Sequence, residues 1–289
     1  MKVGCRNVAV RPPGTDLSFA VAAFYPSLAP EEPVRLGPYE IELAADGAPE
    51  GESLPLVVVS HGMGGSPWLY RTLAAHLARA GFVVALPEHP GDNRSDSSLS
   101  GTVANLEARP RHLRRVIDGL FADPVLGPRL KPDEVGLIGH SMGGYTALAL
   151  AGGRPTAFPW ETPEREAREI PVEHDDRVKA LVLLAPAAVW FQAPGALAGV
   201  TAPILMLTAE HDEHTPPLHA GTIEAGVQGP TRIEHQVIAG AGHFSFLSPF
   251  PPGLTNPGFI PSQDPEGFDR PAFHEVLNAQ VLSFLRRTL

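Results

Sequence analysis

Runs of consecutive apolar residues punctuate the chain. They are LPLVVVS (54–60), FVVALPE (82–88), DEVGLIG (133–139), VKALVLLAP (178–186) and APILMLTAE (202–210), and RIEHQVIAG (232–240) reads as a further strand. Unbroken apolarity marks strands buried on both faces, as in a sheet covered by helices on each side. Between the runs lie stretches with helical spacing. YRTLAAHLARAG (70–81) is closed by Gly81, and LEARPRHLRRVIDGLF (106–121) carries Pro110, expected in an early turn. GGYTALALAG (143–152), TPPLHAGTIEAG (215–226) and DRPAFHEVLNAQVLSFLRRTL (269–289) follow, the last capped by Asp269 before Pro271. The first third reads differently, with strand-like CRNVAV (5–10) and LSFAVAAFYP (17–26), then a loop rich in Pro, Gly and Glu over 27–53 holding a short strand at YEIEL (39–43).

Apolar strands alternating with helices predict an α/β fold with a mostly parallel central sheet flanked by helices. Right-handed crossovers then bring the strand C-termini to one edge, where ligands bind. No polar linker and no fixed-period repeat divides the 289 residues, so a single domain over 1–289 is expected.

The strand ends carry the chemistry. HGMGGS (61–66) follows the first buried strand and HSMGG (140–144) the third. HDEHTPP (211–217) and GHFSF (242–246) follow the last two. Ser141 lies between glycines at 139 and 143, between a strand and a small-residue helix, which is where a nucleophile elbow requires glycine. A serine hydroxyl needs an adjacent base, and the base needs a carboxylate to fix its tautomer. Among the histidines, His243 alone follows a last strand through a Gly-rich turn; His61 and His140 precede glycine turns and read as braces for them. Asp212 stands at the right distance past its strand, with Glu213 as fallback. The catalytic candidates are therefore Ser141, Asp212 and His243. The backbone N–H groups of Met142 and Met63, with Gly62 as second choice to Met63, are the candidate oxyanion hole. Trp68, Phe244, Trp160 and Phe246 are candidates for lining the substrate pocket. His211, Asp212 and His214 could suggest a metal, but Pro216 and Pro217 oppose a helix presenting them together, so neither a metal nor another cofactor is expected.

These motifs cover nearly the whole chain and resemble the α/β-hydrolase family: GHSMGG as nucleophile elbow, SHGMGGS as oxyanion loop, LTAEHDEHTP as acid turn and GAGHFSFL as histidine loop. Within it, LPLVVVSHGMGGSPWLYRTLAAHLARAGFVVALPEHPGDN and AGHFSFLSPF are similar to the predicted dienelactone hydrolases and the related platelet-activating-factor acetylhydrolases. Two departures matter. Dienelactone hydrolases proper use cysteine at the elbow, where this chain has Ser141. Plasma-type acetylhydrolases carry the acid after the strand next to the elbow, where this chain has Ala185-Pro186-Ala187, so the acid moves to Asp212. The resemblance implies a serine esterase working through an acyl-enzyme on small to medium acyl or aryl esters, or on lipid or polyester acyl groups. Acyl transfer, thioester or amide cleavage with the same triad is the alternative, and a non-catalytic binding protein on the same scaffold the more distant one.

Charge and composition narrow the partners. A net charge of −10 and a pI of 5.6 disfavour nucleic acid. The densest basic stretch, EARPRHLRR (107–115), reads as a solvated helix face. Cys5 is the only cysteine, so no internal disulfide forms. No apolar run approaches the roughly 18 residues of a membrane span and no leader pattern stands at the start, which reads as cytoplasmic, with a processed secreted form the alternative. Two stretches break the strand–helix rhythm: 154–176, a cap over the site or a surface insertion, and the loop 248–270 near the chemistry.

Overall fold

A computed structural model describes residues 1–10, 19–229 and 231–289; Leu17 and Ser18 of the expected second strand lie outside them. The strands are β1 (Lys2–Val10), β2 (Phe19–Ser27), β3 (Glu32–Leu36), β4 (Tyr39–Ala45), β5 (Leu54–Ser60), β6 (Val83–Pro87), β7 (Leu130–His140), β8 (Thr156–Ala157), β9 (Arg168–Glu169), β10 (Val178–Leu184), β11 (Ile204–His211) and β12 (Ile233–Gly242). The helices are α1 (Arg71–Arg79), α2 (Val103–Ala122), α3 (Met142–Leu150), α4 (Leu218–Gly226) and α5 (Arg270–Thr288). Among the described residues ten strands form one sheet in the order β12-β11-β10-β7-β5-β6-β2-β1-β4-β3. The six from β12 to β6 pair in parallel, while β6–β2, β2–β1 and β4–β3 pair antiparallel.

Each central strand feeds two cores, because successive side chains point to opposite faces. Leu56 and Val58 of β5 pack on the side of α2, α3 and α4, whereas Val57 and Val59 pack on the side of α1 and α5. In β10, Leu181 and Leu183 face the first core, and Val182 and Leu184 the second. Each such side chain contributes about 1.5–3 kcal/mol by leaving water. Sandwiched this way, the central parallel strands have no polar alternation to show, which is why they read as solid apolar runs, whereas the edge strand β12 is partly exposed and mixes in polar residues.

Three details differ from the sequence expectation. The loop over 27–53 contains a full hairpin, β3–β4, whose second strand joins β1 in parallel through Gly4 and Cys5. The segment 154–176 carries the small β8–β9 hairpin. Helix α2 begins at Val103, capped by the Thr102 hydroxyl accepting from the Asn105 N–H (3.2 Å), so Pro110 sits mid-helix and not in an early turn. A proline there leaves the carbonyl four residues back without its N–H partner. The Tyr145 hydroxyl donates to that carbonyl, of Leu106, at 3.0 Å.

The basic stretch on α2 is also split. Arg111, Arg114 and Arg115 pair with surface carboxylates, but Arg109 points inward and is fully buried. Cys5 lies in β1, its thiol pushed up to about 12 by burial and by Asp46, which makes it unreactive. Among the described residues no helix is long and apolar enough to cross a membrane.

Candidate active site

Ser141 stands at the corner between β7 and α3 with φ 54° and ψ −119°, a conformation that costs free energy for a residue with a Cβ. The corner is stitched on both sides. The Ser141 N–H donates to the Leu184 carbonyl (3.0 Å), and the Ser141 carbonyl accepts from Gly144 (2.8 Å) and Ala187 (2.9 Å). The glycines are demanded by contact: a Cβ on Gly139 would enter the Gly143 carbonyl, and one on Gly143 the Ser60 carbonyl. Met142 opens α3, so its N–H has no partner within the helix and the helix dipole points its positive end at this corner.

The last two strands deliver the other polar groups. His243 Nδ1 lies 2.8 and 3.0 Å from the two Asp212 carboxylate oxygens, both side chains being buried. Asp212 Oδ1 accepts from the His214 and Thr215 N–H groups (2.8 and 2.7 Å), and the Thr215 hydroxyl donates to Oδ2 (2.7 Å). Burial alone would raise the Asp212 pKa. The hydrogen bond and charge of His243, with the two Thr215 donors, outweigh it and hold the carboxyl well below the usual range. Glu213 is exposed and absent from this cluster.

His140 braces the His243 loop from behind. Its Nε2 donates to the His243 carbonyl (3.0 Å), and its Nδ1 accepts from the Tyr70 hydroxyl (3.0 Å). Burial and the neighbouring His243 push the His140 imidazole down to about 3, so it stays neutral with the proton on Nε2. His61 braces the other turn. Its Nδ1 donates to the Gly62 carbonyl (2.7 Å), and its Nε2 accepts from the His89 N–H (3.1 Å). Burial and the Arg109 charge push it to about 3 as well.

Ser141, Met142, His243, Gly62 and Met63 meet around one cavity of about 710 Å³, and Phe244 lines it. Its other walls are Tyr39, Leu69, Trp190, Phe259 and the exposed Arg94. The remaining aromatic candidates stand elsewhere. Trp68 packs over Gly37 of the β3–β4 turn. Phe246 is buried against His140 and Phe273. Trp160 stacks on Phe158 in the open, 69% exposed. Both Trp68 and Phe246 turn into the apolar core on the side of α1 and α5, where their rings leave water. The segment 154–176 lends the cavity no wall directly; its Glu161 accepts from Trp190 Nε1 at 3.1 Å and so fixes a side chain that does line it. Among the described residues no three His, Cys, Asp or Glu side chains gather to hold a metal.

A parallel sheet with helices on both faces, a strained serine corner, and an acid and histidine at later strand ends define the architecture. This is the α/β-hydrolase fold. The family model for the α/β-hydrolase fold matches residues 55–159. A ferulic acid esterase from Streptomyces cinnamoneus superposes with a TM-score of 0.70 at 23% identity, covering 100% of this chain and 89% of that one. This chain is 36% identical over 105 residues to 2-hydroxy-6-oxononadienedioate/2-hydroxy-6-oxononatrienedioate hydrolase 1 of Pseudomonas putida. It is 35% identical over 94 residues to a carbendazim hydrolyzing esterase of a Nocardioides species, and 32% over 110 to the monoglyceride lipase of Rattus norvegicus. These alignments span 35%, 32% and 38% of this chain, and 33%, 34% and 34% of the respective relatives.

Proposed function

We propose that the protein is a serine hydrolase of carboxylic esters acting through an acyl-enzyme. The observation that carries this reading is the convergence of a strained Ser141 and a carboxylate-bound His243 on one largely apolar cavity. Ser141 Oγ attacks the ester carbonyl while His243 Nε2 takes its proton and later delivers it to the leaving alcohol. Asp212 keeps the His243 proton on Nδ1 and stabilises the imidazolium. The N–H groups of Met63 and Met142 receive the oxyanion. Water, activated by the same histidine, then releases the acid.

The esterase and lipase among the partial relatives support ester over amide chemistry. The cavity, of about 710 Å³ with Tyr39, Phe244, Phe259 and Trp190 around it, suits a small to medium acyl or aryl ester. Serine at the elbow agrees with an esterase related to the dienelactone hydrolase group but not sharing its cysteine chemistry.

The test is covalent. A fluorophosphonate probe is expected to label one site, and Ser141→Ala to abolish both labelling and hydrolysis of an aryl ester. Labelling that survives the substitution overturns the assignment. Ranking kcat/KM across aryl esters, thioesters and anilides then separates ester hydrolysis from the rival acyl chemistries.

A further inference from the structure

Among the described residues the most deeply buried ion pair is bonded to the glycine turn that follows β5. Arg109 of α2 and Asp92 of the loop after β6 are both fully shielded from solvent, with Nη1 2.7 Å from Oδ2. Such a pair is a poor stabiliser, since the cost of taking two charges out of water rivals their attraction. Its bonds point to another use.

Several of its partners belong to the two turns that carry the proposed oxyanion donors. Arg109 Nη2 donates to the His61 carbonyl and, at 3.3 Å, to Ser60 Oγ. Asp92 Oδ1 accepts from the Gly64 N–H at 2.9 Å. The peptides on both sides of the Gly62–Met63 unit are thus tied to one ion pair. That unit's own carbonyl is held by His61 Nδ1 and the Gly65 N–H, and in a trans peptide the Met63 N–H points the opposite way. On the elbow side, Arg109 Nε donates to Thr146 Oγ1 (3.0 Å), which donates to the Met142 carbonyl (2.9 Å). Ser100 Oγ (2.5 Å) and Asn105 Nδ2 (2.7 Å) complete the Asp92 shell.

We propose that Arg109, with Asp92, is the positioning residue of the oxyanion hole, one guanidinium fixing the Met63 and Met142 turns relative to each other before substrate arrives. The proposal rests on the acyl-enzyme reading above. Preorganised donors stabilise the transition state because they need no reorganisation when charge develops, and small misplacements are costly. A lysine at 109 keeps the charge but has no planar fork to span three anchors.

The experiment measures kcat per phosphonate-titrated site, KM for an aryl acetate, and Ki for a trifluoromethyl ketone, which forms a tetrahedral adduct. Arg109→Lys is expected to lower kcat about 100-fold with KM changed less than about 2-fold, and to weaken the ketone by the same factor as kcat. Thr146→Val, nearly isosteric, is expected to lose roughly 10-fold in the same pattern, with Thr146→Ser restoring it. If Arg109→Lys does not fold, the Thr146 pair decides alone. Folded variants whose kcat per titrated site and ketone Ki match the wild type, with only thermal stability reduced, overturn the proposal and leave a structural staple. A wild-type protein that neither labels nor hydrolyses esters overturns the hydrolase reading itself, and this proposal with it.

Discussion

The two sides of the crevice are held by different means. On the donor side the proposed oxyanion groups are backbone N–H groups, and their turns are fixed by a buried polar network of Arg109, Asp92, His61, Ser60 and Thr146. On the base side the proposed base is the His243 side chain. It is fixed by its own partners: Asp212 at Nδ1, Thr215 behind Asp212, and His140 on its carbonyl. The difference follows from what must be aimed. A peptide N–H has no rotamer of its own, so aiming it means locking the chain on both sides of it. An imidazole can be aimed through one hydrogen bond and one backbone contact.

The sharpest way to break this contrast is to compare histidines. His243→Ala is expected to lower kcat by about 10⁴- to 10⁶-fold, since removal of a triad base removes most of the chemistry. Asp212→Asn should cost about 10⁴-fold by presenting the wrong tautomer. His61→Ala removes a brace only, and its loss in kcat should fall at least about tenfold short of either. Steady-state kinetics on one aryl ester decide the order. Equal losses for His61 and His243 would erase the distinction between a working and a bracing histidine.

That distinction was already half visible in the chain. Ser141, Asp212 and His243 are legible because each follows a strand-like run, and a parallel sheet sends all such ends to one edge. His61 and His140 are legible as braces because they adjoin glycine turns. Arg109 is not: in EARPRHLRR it is one arginine among four, and only the rotation of α2 separates it from the exposed ones. Tyr39 and Phe259 reach the cavity from the β3–β4 hairpin and the 248–270 loop, where no periodicity indicates direction. Trp68 and Phe246 mislead for the converse reason, standing close in sequence to working turns while their side chains enter the core.

Acid separates the two sides next. His61 and His140 are pushed to about 3, and His112 and His274 to about 4, in each case first by burial; His89 is also driven well below its ordinary value by burial and Arg109. An unfolded histidine titrates near about 6.5, so between that pH and the lowered values the unfolded chain binds more protons than the folded one. Stability from these groups is therefore complete above about pH 6.5 and falls as the pH drops towards 4. The Asp212 carboxylate, depressed in the fold, adds its own loss only below about pH 4. Three of the five histidines, His61, His89 and His112, lie beside Arg109, which makes the donor side the more acid-sensitive. Urea midpoints should fall between pH 7 and 5, with the proton uptake of these five groups on unfolding rising from about one at pH 7 to roughly four to five at pH 5. A flat profile over that range would contradict the buried neutral imidazoles.

The smallest effect tests how far the base side depends on its backbone contact. Tyr70→Phe removes the hydroxyl that donates to His140 Nδ1 and leaves the ring in place. His140 then has a buried acceptor without a donor, at a cost of about 1–3 kcal/mol in stability. Its proton is also free to sit on Nδ1, and in that tautomer Nε2 no longer donates to the His243 carbonyl. The base loop loses one of its two anchors while Asp212 retains the other. A fall in kcat of about 3- to 10-fold, with KM unchanged, is expected alongside the lower unfolding midpoint. Ser100→Ala, which removes one of four donors to Asp92, should lower stability without that fall in kcat, because Arg109, Asn105 and the Gly64 N–H still hold the carboxylate. If Tyr70→Phe keeps the wild-type kcat, Asp212 aims the imidazole alone, and the His140 bond serves the fold and not the chemistry.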